Sequence, residues 1–178
     1  MPDRSIRYSF LSRAFHWSVA LLVLLMIPAG AVMIQDGLPQ PVQNTLFILH
    51  KNTGLLVLAL VLLRLVWRQI APPPPLPDRV PGWQRRVADL NHRLLYLLLV
   101  LMPVAGYVRV KAGGFPIETL DAWGVPALVP ESEALATFAK SVHYYGALAL
   151  GALIGLHLLA ALYHGAIRRD GVVARMWA

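Results

Sequence analysis

Four of the chain's six histidines stand where they can act in pairs. His143 and His157 lie fourteen residues apart in one apolar segment, and His16 and His50 lie near the starts of two others. On a helix, fourteen residues span about 21 Å and turn through about 40° net, so both rings of the C-terminal segment point the same way. If the segments cross a membrane in alternating directions, His16 shares a depth with His157, and His50 shares one with His143. A histidine inside a span is costly and normally faces the bundle interior. An imidazole above and below a flat macrocycle fills both axial positions of its iron, which favours electron transfer over oxygen binding. The four residues therefore read as axial ligands of two stacked haems, one toward each face.

Two further histidines belong to the same end of the molecule. His92 opens the third apolar segment, and His164 follows His157 by seven residues on nearly the same face. Either suits a haem propionate or a quinone carbonyl; the plainer role is that of an interfacial histidine. A zinc or di-metal site is disfavoured because no Asp or Glu sits at helical spacing among the four paired histidines, His16, His50, His143 and His157. The absence of cysteine excludes disulfides, thiolate metal sites, iron–sulfur clusters and thioether-linked haem. No P-loop, dinucleotide fingerprint or nucleophile elbow is present.

The elements that must hold these rings are read from composition and length. Of 178 residues, 57% are hydrophobic and only 14% charged, against roughly 45–50% and 25% in soluble domains; mean hydropathy is +0.58. Four apolar stretches approach the ~20 residues that carry a helix across ~30 Å of hydrocarbon. They are too long and too evenly apolar for barrel strands. The expected architecture is all-α, an integral membrane four-helix bundle forming a single domain, with helices over about 12–34, 44–70, 82–111 and 131–168. Pro72 to Pro75, with Pro77 and Pro81, read as a stiff connection after the second helix. Pro103 and Gly106 predict a bend in the third. Pro130, followed by Glu131 and Glu133, reads as the start of the fourth. The stretch from Gly113 to Pro130 is expected to lie at the interface as an ordered cover. No cleavable signal is expected, because the first apolar run is long and lacks a small-residue cleavage site.

Orientation follows from the basic residues. Arg4, Arg7, Arg13, Arg64, Arg68, Arg79, Arg85, Arg86, Arg93, Arg168, Arg169 and Arg175 fall on one side, and only Lys51, Arg109, Lys111 and Lys140 on the other. This asymmetry puts both termini in the cytoplasm. It also accounts for the net charge of +7 without nucleic acid, since the basic residues cluster at segment ends. Trp17, Trp67, Trp83, Trp123 and Trp177 fall near run ends, as an interfacial aromatic belt would.

Short motifs along nearly the whole chain resemble one family. They are Arg13-Ala14-Phe15-His16-Trp17, Leu49-His50-Lys51-Asn52-Thr53-Gly54, the prolines after Arg68, Leu90-Asn91-His92-Arg93-Leu94-Leu95-Tyr96, Met102-Pro103-Val104-Ala105-Gly106, His143-Tyr144-Tyr145-Gly146, Gly155-Leu156-His157 and His164. Together they resemble the bacterial cytochrome b561 family of small di-haem membrane cytochromes. The resemblance implies ligation of two haem b groups by His16, His50, His143 and His157, residence in the bacterial inner membrane as a multi-pass protein, and exchange of electrons with ubiquinone. It also implies one of two donors: superoxide on the outer side, or a redox protein such as a dehydrogenase or hydrogenase that uses a cytochrome b subunit. A non-redox transporter or scaffold is the third reading. Lys51, Arg109, Lys111 and Lys140 suit the first donor, because cations around the outer pair can raise the capture rate of a small anion. Snorkelling at the lipid interface, or neutralisation by Asp36, Glu118, Asp121, Glu131 and Glu133, would remove that effect.

Overall fold

The computed structural model describes residues 7–177; Arg4, counted above for orientation, lies outside them. Five α-helices follow one another: α1 Phe10–Val32, α2 Gln40–Ile70, α3 Gly82–Ala112, α4 Glu118–Ala122 and α5 Glu133–Leu162. A π-helical turn, Tyr163–Arg168, extends α5, and a short 3-10 turn, Val173–Met176, follows.

Local chemistry sets the ends. The Ser9 side chain accepts from the Ser12 amide and caps α1. The Ser132 side chain accepts from the Leu135 amide and caps α5, satisfying amides that a first turn otherwise leaves without partners. Helix α5 therefore begins at Glu133, two residues later than Pro130 and Glu131 suggest. Gln40 and Pro41 open α2, where a missing N–H costs nothing, so α2 starts four residues earlier than expected. Pro28 and Pro103 are carried inside α1 and α3, and α3 runs unbroken through the latter.

Helices α1, α2, α3 and the α5 extension, Glu133–Arg168, are each long and apolar enough to cross a membrane. No more than 17% of the most apolar window of any of them is buried within the protein. Leu21, Leu25, Leu63, Leu97, Leu159 and many similar side chains face outward, a continuous apolar surface far larger than a water-facing monomer carries. Hydrocarbon is the solvent for which this exterior is built.

Inside, α1 packs on α2 and α3 packs on α5, while α2 meets α3. Val19, Val23, Val57, Val61, Met102 and Leu150 form the buried core. Leu150 lies midway between His143 and His157 along α5. The first turns of α1 meet the last described residues: Arg13 Nη1 donates to the Trp177 carbonyl at 2.6 Å, and Trp17 Nε1 to that of Met176 at 2.9 Å. The Trp17 and Trp177 rings lie 4.7 Å apart.

Candidate functional site

The histidines meet across helices. The His16 and His157 ring centres are 6.2 Å apart, with planes at 69°. The His50 and His143 centres are also 6.2 Å apart, at 70°. These contacts join α5 to α1 and to α2, neither of which is among its main packing partners; side chains, not helix backbones, span the space between. The same spacing recurs at two depths on unrelated surroundings.

That spacing leaves room for a metal between the rings. Imidazole nitrogen bonds a transition metal at about 2.0–2.1 Å. Adding about 1.1 Å from each nitrogen to its ring centre places two axial imidazoles on one metal about 6.3 Å apart, centre to centre. Both pairs match. The His92 ring centre lies only 5.4 Å from that of His157, too close for an intervening ion, so His92 lies beside the inner pair rather than opposite a ligand. Among the described residues, no three His, Cys, Asp or Glu side chains gather to hold a bare ion. A macrocycle that brings four of its own nitrogens needs only the two imidazoles present.

The outer pair is tightly built. His143 Nδ1 lies 3.0 Å from the Met102 carbonyl oxygen. A carbonyl only accepts, so Nδ1 carries the proton and Nε2 keeps its lone pair for a metal. A Cβ on Gly106 would stand 3.3 Å from His143 Cε1, and one on Gly30 would stand 2.9 Å from His50 Cε1. The two glycines give the two rings room to stand. Elsewhere on α5, a Cβ on Gly151 or Gly155 would meet nothing within 4 Å, whereas Gly146 is packed on Met102 Sδ. Gly146 therefore serves helix packing, and Gly54 meets only Met26.

Helix α4 covers this end. Lys51 Nζ donates to Glu118 Oε1 and to the Pro116 carbonyl, both at 2.6 Å. Asn52 donates to Glu118 Oε2 at 2.8 Å and accepts from the Thr119 amide at 2.9 Å. Lys111 pairs with Asp121. Burial alone would raise the Glu118 pKa, but its bonds from Lys51, its own backbone and Asn52 outweigh that and hold it below the usual range. The Lys111 hydrogen bond likewise lowers Asp121. Two of the four outer cations thus enter as neutral pairs that fasten the cover. Arg109 and Lys140 have no carboxylate partner among the described residues.

The inner pair has a different setting. Arg64 Nε donates to the Tyr96 hydroxyl at 2.8 Å, and Arg64 Nη1 to the Ser12 carbonyl at 2.9 Å. Ser12 lies one turn before His16 on α1 and Tyr96 one turn after His92 on α3, so Arg64 ties together the helices that carry these rings. Arg68 lies over the Tyr96 ring. His164 sits past the pair in the π-helical turn, with Nδ1 2.6 Å from Asp170 Oδ2. In the sequence Arg64 counts only toward orientation and Tyr96 only as the last residue of a motif; their contact is a product of helix packing.

A membrane-spanning four-helix bundle that faces imidazole pairs at metal-bridging distance is the framework of a b-type cytochrome. The chain matches the family model for prokaryotic cytochrome b561 over residues 7–178 and belongs to that family. It is 35% identical over 171 residues to cytochrome b561 homolog 2 of Escherichia coli (strain K12), covering 96% of this chain and 90% of that protein. It is 28% identical over 174 residues to the probable superoxide oxidase CybB of Yersinia pestis, covering 96% and 95%. It is 30% identical over 173 residues to cytochrome b562 of Cereibacter sphaeroides, covering 95% and 94%. The chain is a bacterial membrane electron-transfer cytochrome that uses haem b.

Proposed function

We propose that the protein is a superoxide:ubiquinone oxidoreductase of the bacterial inner membrane, with both termini in the cytoplasm, and that it carries two haem b groups. His16 and His157 hold the inner haem, and His50 and His143 the outer one. The observation that carries this reading is the repeated 6.2 Å imidazole spacing at two depths. Haem b, when bound, supplies a one-electron iron couple at each depth.

The chain's own residues fix the rest. The Met102 carbonyl orients the His143 imidazole, and Gly30 and Gly106 admit the outer rings. Helix α4 limits access of water and bulky donors at the outer end. Arg109 and Lys140 supply the positive charge that steers a small anion, while Lys51 and Lys111 hold the cover in place. Arg64 favours added electron density at the inner end. In the net reaction, two superoxide anions each lose one electron and become dioxygen, and ubiquinone takes both electrons and two cytoplasmic protons to become ubiquinol. The quinone binds near the cytoplasmic helix ends around His92 and His164. The superoxide donor is supported by the similarity to the probable superoxide oxidase CybB of Yersinia pestis.

Pulse-generated superoxide, with the Soret and α bands followed in time, tests this directly. Fast reduction of the purified cytochrome, followed by reoxidation on adding ubiquinone, is expected. Reduction by a copurifying dehydrogenase or hydrogenase but not by superoxide would assign the chain to the other class of donor.

A further inference from the structure

The cytoplasmic end of α5 is built around a buried acid that packing alone does not require. Asp170 is 2% exposed. Its Oδ2 lies 2.6 Å from His164 Nδ1, and its Oδ1 accepts from the Val172 amide at 3.3 Å. Arg79, from the proline-rich connection between α2 and α3, donates through Nε to the Asp170 carbonyl at 3.2 Å.

The backbone bends to make this contact. Residues Tyr163–Arg168 adopt a π-helical turn, a form that recurs at functional sites. Arg169 has φ of 48°, the only positive φ at a non-glycine among the described residues. Gly171 follows at φ 79°. Left-handed geometry at arginine is unfavourable, and it persists where surrounding structure fixes it. Here it folds the chain back so that the Asp170 carboxylate reaches a ring six residues earlier.

A carboxylate accepts, so Nδ1 carries a proton in this contact, and Nε2 is left free to carry a second proton when the ring is doubly protonated. Nε2 has no hydrogen-bond partner among the described residues, and it is not among the sealed, partnerless buried atoms. His164 lies about 10 Å beyond His157 by helical rise, on the cytoplasmic side where the quinone is assigned. Burial would raise the Asp170 pKa, but the bonds from His164 and Val172 and the Arg79 charge outweigh it and keep the carboxyl below its ordinary range. It is an anion at neutral pH. The other groups around His164 are the Tyr163 ring at 5.5 Å and Arg168, which turns away to the Arg79 carbonyl.

We propose that Asp170 is the positioning residue of a proton-delivery dyad, holding His164 so that its Nε2–H donates to a quinone oxygen and passes its proton there as the quinone is reduced. The inference rests on the ubiquinone reading above. The quinone gains two electrons from the cytochrome and two protons; His164 gives one proton from Nε2, becomes neutral, regains a proton from cytoplasmic water and gives the second. Asp170 stays ionised throughout and transfers nothing.

The test uses haem-loaded protein in detergent, reduced beforehand, mixed with a short-chain ubiquinone between about pH 5 and 9. Reoxidation of the haem bands is the readout. Native protein should lose rate on the alkaline side. Asp170→Asn keeps a hydrogen-bonding side chain but removes the charge, so reoxidation by the quinone should slow and its pH profile should differ from that of the native protein, with the superoxide-driven reduction step and the haem spectrum unchanged. Asp170→Glu should restore the native profile. If Asp170→Asn fails to load haem, His164→Gln gives the same reading, with the alkaline loss abolished. Coincident native and variant profiles overturn the dyad while leaving quinone reduction standing. Native protein that ubiquinone does not reoxidise at any pH overturns the ubiquinone reading, and the dyad with it.

Discussion

The two ends of this bundle hold the same imidazole pair in opposite surroundings. At the outer end, His143 is fixed by a backbone carbonyl, both rings stand over glycine, and a five-residue helix is tied across the top by two ion pairs. At the inner end, a third histidine lies beside the pair, Arg64 ties Tyr96 to Ser12, Arg13 and Trp17 of α1 clasp Trp177 and Met176, and a buried acid holds a fourth histidine farther on. On the function proposed above, the covered outer end takes up electrons, and the inner end, with its cations and titratable groups, serves quinone chemistry. On that reading one scaffold gives two similar pairs different tasks through what surrounds them, not through the ligands.

The comparison breaks most visibly if either pair is removed. His143→Ala should abolish the outer haem and leave the inner, halving haem content per chain and stopping superoxide-driven reduction; His157→Ala should do the reverse at the inner end. Pyridine haemochrome assays on purified variants measure this. A variant that keeps full haem content and unaltered spectra removes its residue from the ligand set.

Gly30→Val should separate the two ends next most strongly. A Cβ at that position already crowds the His50 ring, and overpacking of this kind typically costs about 1–3 kcal/mol. Loss or spectral change confined to the outer haem is expected; equal effects on both haems would place the glycine in general packing.

Much of this arrangement was open to reading in the sequence, and what was hidden has a physical cause. The four spans follow from run length, and the four histidines pair by depth because helical rise is fixed. Gly30 could not be seen, since nothing local links it to a ring twenty positions later. The Met102 carbonyl is a backbone group and carries no residue signal at all. Helix α4 is too short for periodicity, so the stretch from Gly113 to Pro130 reads only as an ordered cover in which Glu118 and Asp121 can neutralise nearby cations; the pairing of each acid with its lysine depends on the fold. The sequence suits His164 to a propionate, a quinone carbonyl or a plain interfacial place and gives no sign of an acid partner; the π-helical turn and the left-handed Arg169 bring Asp170 to it. At Pro130 two start signals competed, and the serine cap at Ser132 set the boundary.

A smaller effect sharpens the electrostatic side of the comparison. Arg64→Gln removes a positive charge near the inner pair and should lower the reduction potential of the inner haem by an amount on the order of tens of millivolts, leaving the outer one nearly unmoved. Spectroelectrochemical titration resolves the two; equal shifts would show that the charge is not local. The smallest effect concerns the cover. Lys51→Met should loosen α4, raising its amide hydrogen exchange and costing about 1 kcal/mol or less. Because the folded pKa of Glu118 lies below its ordinary 4.5, the clamp is fully present above that value. It should release as pH falls through the lower folded pKa, and exchange in α4 measured against pH checks this.

The central claim is that each pair of imidazoles closes both faces of one iron. Near-infrared magnetic circular dichroism of the oxidised, haem-quantified protein tests it most directly, because that spectrum reports axial ligand type. The account predicts two low-spin, bis-imidazole haems per chain; a single haem, or a high-spin fraction with an open axial position in intact protein, would contradict it.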